Sequence, residues 1–79
     1  MEQQIKLIWD FRGPDALPVA RHHHKHLQEY MVNEGLSPQV AGHKELGPAH
    51  SIAFMVVTAS KMPEVRDALK PHRGELHQP

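Results

Sequence analysis

The chain has 79 residues, 39% of them hydrophobic, with nine Lys and Arg balanced by nine Asp and Glu and no cysteine. That length is expected to form one domain over residues 1–79, with a polar tail at about 72–79. Zero net charge excludes the polybasic surface of nonspecific nucleic-acid binders, and the lack of cysteine excludes disulfides, thiolate metal sites, iron–sulfur clusters and a thiol nucleophile.

The first predicted element is a strand over Ile5–Phe11. Ile5, Leu7, Trp9 and Phe11 alternate with Lys6, Ile8 and Asp10, so one face is strongly apolar. Arg12-Gly13-Pro14-Asp15 breaks it. A helix is predicted over Ala16–Glu34, with Asp15 as N-cap, Pro18 in the first turn and Gly35 as the stop. Its apolar stripe is Leu17, Ala20, His24, Leu27 and Met31, with His23 and Tyr30 on the flank. His22 and His26 lie one turn apart on nearly the opposite face.

Pro38 opens the next segment, a weak strand over Val40–Leu46. Within it Ala41, His43 and Glu45 share one side, and Gly42 signals a bulge or a close backbone contact. After the Gly47-Pro48 turn, Ile52–Val57 is the strongest strand, apolar on both faces and therefore central. Ser60 is positioned to cap a second helix over Lys61–Lys70, with Pro63 in its first turn, Met62, Val65 and Leu69 on its apolar side, and Pro71 ending it. The remaining residues, 72–79, are polar and suggest at most a short edge strand.

The order β-α-β-β-α, with a doubtful final β, is the split pattern of the ferredoxin-like α+β folds. That topology implies an antiparallel sheet with the third strand inserted between the first two and both helices on one face. A central strand apolar on both sides then leaves Ile52, Phe54 and Val56 facing water. A second copy packed against that face would bury them, giving a dimeric α+β sandwich or barrel; small chains commonly need such help. No apolar run is long enough to span a bilayer, and no secretory signal is visible, so a soluble cytoplasmic chain is expected, without membrane or nucleic-acid partners.

The same topology predicts where chemistry would gather. The end of the first strand, the turn between the second and third strands and the end of the second helix meet at one rim of the sheet. Asp10 should approach His50 there, and His43 lies in the same region. A carboxylate that orients an imidazole makes a general acid/base pair. Arg12, His72 and Arg73 at this rim are candidates to hold a small anion. An ordinary ion pair between Asp10 and Arg12 or Arg73 would account for the same residues structurally. A cavity closed by dimerisation over the open face would draw on Lys6, Asp10 and Met55 or His43.

Eight histidines in 79 residues are a further signal. His22 and His26, at i and i+4, can chelate a divalent transition metal such as Zn²⁺, Ni²⁺ or Cu²⁺, although a structural zinc site takes about four ligands and Arg21 and Lys25 repel a cation. The zincin helix motif is absent. His24 in the apolar stripe reads as a hydrogen-bonded core histidine, or as a switch that loosens packing when protonated below about 6. Trp9, Phe11, Phe54 and the methionines sit at core spacing. The chain lacks the basic–aromatic signature of RNA-recognition modules, the glycine-rich phosphate loops and the serine-hydrolase elbow.

Three readings follow. The chain is a homodimeric binding module for a small anion or a metal; or a small-molecule enzyme using Asp10 with His50 or His43; or a structural or regulatory protein without a pocket.

Overall fold

A computed structural model describes residues 2–36 and 40–77. The elements are β1 (Gln4–Arg12), α1 (Ala16–Glu34), β2 (Val40–Gly47), β3 (His50–Thr58), α2 (Met62–Leu69) and β4 (Arg73–His77). All strand pairings are antiparallel, and the sheet order is β2-β3-β1-β4. The architecture is therefore α+β, with four strands and two helices. Pro38 lies outside the described residues.

Register assigns the faces. Leu7 pairs with Met55, Trp9 with Ala53 and Ile5 with Val57, so these side chains share one face. They form the core with Leu27 and Met31 of α1 and Val65 of α2, which places both helices on that side. Met55 is wholly buried there, and it cannot line a cavity on the opposite face as the sequence suggested.

α1 begins and ends where its signals put it. Gly35 adopts the left-handed conformation (φ 62°), and its N–H returns to the Met31 and Val32 carbonyls. Asp15 occupies the cap position without a side-chain bond to the helix, so its expected capping role is not realised. Ser60 likewise does not cap α2. Lys61 holds that position, while the Ser60 amide donates to the Glu2 carboxylate at 2.6 Å. α2 is shorter than expected, because Lys70 turns left-handed (φ 52°) ahead of Pro71.

Two corrections concern the sheet. The supposed tail contains β4, whose residues 73–77 pair with β1 along its length. The helix-free face is also not a bare apolar row: Ile8, Ile52 and Val56 are 0–5% exposed within a single chain. Side chains of the same face cover them. The Phe54 ring lies across Gly42 of β2, and Lys6 Nζ stands 4.4 Å from its centroid.

Gly42 is therefore a close-contact glycine, and the bulge falls later, between Glu45 and Gly47. A Cβ at Gly42 would lie 2.7 Å from Phe54 Cζ. Gly42→Val is expected to swing the ring off the sheet and cost about 1 kcal/mol, the lower end of overpacking penalties because the ring tip can move. Gly47→Ala, with nothing within 4 Å of its new methyl, should stay within about 0.5 kcal/mol of the parent in urea denaturation. Equal losses in the two variants would refute this role for Gly42.

Candidate functional site

Strand pairing brings the rim together. Arg12 is the cross-strand partner of His50, and Asp10 is two residues from Arg12 on the same face. His50 Nε2 donates to Asp10 Oδ1 at 2.9 Å, with both side chains about four-fifths buried (23% and 19% exposed). From β4, Arg73 Nε donates to Asp10 Oδ2 at 2.9 Å and its Nη2 to Oδ1 at 3.2 Å, a two-pronged grip on the carboxylate. These bonds, Arg73's first and His50's second, hold the Asp10 carboxyl down to about 2. Asp10 is thus a fixed anion across the neutral range.

The backbone at this point is pinned as well. The Asp10 amide donates to His72 Nδ1 at 2.8 Å, and the His72 amide donates to the Ile8 carbonyl at 3.0 Å. Trp9 Nε1 donates to the Leu69 carbonyl at 3.0 Å, tying the end of α2 to β1. Since His72 Nδ1 accepts a bond, the proton of its neutral ring sits on Nε2. His50 shows the complementary pattern: Nε2 carries the proton toward Asp10, which leaves Nδ1 of a neutral ring with a free lone pair.

Of the residues singled out by sequence, Asp10, His50, His72 and Arg73 meet at this rim. Arg12 stands beside His50, exposed, and makes no ion pair among the described residues. His43 does not join them. It lies on the helix side of β2, where its Nδ1 is 2.9 Å from His24 Nδ1, so the sheet separates it from Asp10. A pairing of Asp10 with His43 is therefore ruled out by strand alternation.

The histidine-rich turn of α1 divides in two. His22 Nε2 and His26 Nε2 are 2.9 Å apart on the exposed face, in contact as their spacing predicts. No cluster of three or more His, Asp or Glu suited to a metal ion exists among the described residues, so this pair has no further protein ligand. His23 and His24 turn inward instead. His23 packs against Trp9 and Phe11, with ring centroids 4.9 and 5.5 Å away. Burial pushes both His23 and His24 below the usual histidine range, and in each the Nε2 atom is buried without a partner.

Two features escaped the sequence reading: the His24–His43 bond and the anchoring of Asp10 by His72. The first had a signal in the placement of His24 in the α1 stripe and of His43 on one side of its strand. The second had a signal in the placement of His72 at the same rim as Asp10, but nothing marked its ring as the acceptor of the Asp10 amide.

No helix among the described residues is long and apolar enough to cross a membrane. Comparison with protein-family models, curated proteins and solved structures gave no match.

Proposed function

We propose that this chain is a ferredoxin-like domain that works as a homodimer and transfers a proton to or from a small molecule at His50, with Asp10 as its orienting carboxylate. The observation that carries this reading is the 2.9 Å bond from His50 Nε2 to a carboxylate that Arg73 holds ionised. A carboxylate in that place fixes the tautomer and leaves Nδ1 as the proton acceptor. The sheet order β2-β3-β1-β4 supports the fold name. Support for pairing comes from the apolar surface that remains on the helix-free face, half-buried Phe54 and 40%-exposed Val40. A second copy there would also roof the rim and exclude water from it.

The anion-binding reading keeps one specific support, Arg12 beside His50, which makes no ion pair among the described residues. It loses Arg73, whose charge is already matched by Asp10. The metal reading rests on His22 and His26 alone.

Nitrobenzisoxazole tests the base directly, because its ring opens when a base removes the ring C–H proton and the N–O bond breaks to release a cyanophenolate. The protein should open it faster than free imidazole at equal concentration. His50→Gln should abolish the excess, and Asp10→Asn should reduce it by roughly tenfold or more through the wrong tautomer. An excess that survives His50→Gln, or none at all, would sink the proposal.

A further inference from the structure

The short α2 leaves part of the sheet uncovered. It sits over the core through Val65 and is tied to β1 at Leu69, and on the β4 side a groove of about 430 Å³ remains. Ile5, Leu7, Met62 and Leu76 give it an apolar lining, while Arg66 and His72 stand at it as hydrogen-bond donors. The sequence explains the opening. Gly74, the cross-strand partner of Leu7, puts no side chain into the space, and a Cβ there would already touch Leu7 Cδ2 at 3.4 Å. Leu76 remains 49% exposed at the edge.

We propose that this groove binds a small amphiphilic carboxylic acid, its hydrocarbon part on Leu7, Met62 and Leu76 and its carboxylate between Arg66 and His72. The charge pattern selects the anion. Among the described residues Arg66 pairs with Asp67 alone, at 3.3 Å, an exposed neighbour on the same helix. His72, whose Nδ1 is occupied by the Asp10 amide, has its Nε2–H free to donate. Glu75 is the single acidic residue among the described lining residues. The volume falls within the usual range for small-molecule pockets, and an apolar floor with a few polar groups at the mouth is their usual make-up. The groove shares His72 and Arg73 with the rim that holds Asp10, so its test uses Arg66 and Leu76, which touch neither Asp10 nor His50.

Octanoate is the probe, followed by amide NMR and titration calorimetry on the full chain. It should bind with Kd of about 0.1–1 mM, the range expected for so few atoms, with shifts concentrated at Met62, Gly74 and Leu76. Octanol should bind at least roughly fivefold more weakly, as should octanoate to Arg66→Gln, because each loses a charge-assisted hydrogen bond. Leu76→Glu, at a half-exposed position that leaves the core intact, should repel the probe, with circular dichroism confirming the fold. The proposal is overturned if octanol binds as well as octanoate, if the shifts lie elsewhere, or if nothing binds.

Discussion

Leu27→Ala is expected to lower stability by about 3 kcal/mol in chemical denaturation. Leu27 is 1% exposed and lies in the cluster that joins α1 to β1, β3 and α2. Truncation removes buried methyl groups and leaves a cavity bounded by strands whose hydrogen bonds resist collapse. A chain of this size has roughly 4–12 kcal/mol of total stability, so the change consumes a large share of it. Val32→Ala on the same helix, at 66% exposure, should change stability by less than about 0.5 kcal/mol. If the two substitutions cost the same, α1 does not pack on the sheet through the Leu27 stripe.

That stripe was legible because helical periodicity is local. Leu27 and Met31 recur at the right spacing, and the Gly35 stop depends on its own backbone. The meeting of Asp10 and His50 was legible for a different reason: once β3 pairs antiparallel with β1, register fixes which residues face each other. The same argument failed for His43. Reaching the same end of a sheet is not reaching the same face, and alternation along β2 turned His43 toward α1.

What stayed hidden was non-local or depended on long side chains. β4 has one large apolar residue, Leu76, so the sequence offers Arg73–His77 only as a doubtful edge strand. Pairing with β1 and the His72 contacts create it. The covering of Ile8, Ile52 and Val56 was equally invisible, since patterning treats Lys6 as polar and ignores its aliphatic stem. The functional consequence is direct: without β4 there is no Arg73 on Asp10, and no groove beside α2.

Stability should also fall as the solution is acidified from about pH 8 to about pH 5.5, read as a drop of several degrees in Tm. The cause lies in His23 and His24. His23 packs against the Trp9 and Phe11 rings, and His24 faces His43 from α1 across to β2. Burial, the leading cause, lowers both below their ordinary value of 6.5, with the neighbouring histidines adding to it. In the unfolded chain each binds its proton near 6.5, so protons favour unfolding. The stabilisation from keeping these rings neutral is therefore complete above that value and is lost as pH falls through their lower folded values. Asp10 acts in a separate window. Its carboxyl lies at about 2 against 3.8, so its contribution holds above 3.8 and disappears only as pH drops toward 2. The double variant His23→Phe, His24→Leu keeps the ring contact and the apolar stripe while removing both titrating groups. It should flatten the profile between about pH 8 and 5.5 and leave the loss at lower pH in place. A profile as steep as the parent's would transfer the effect to other histidines and refute the assignment.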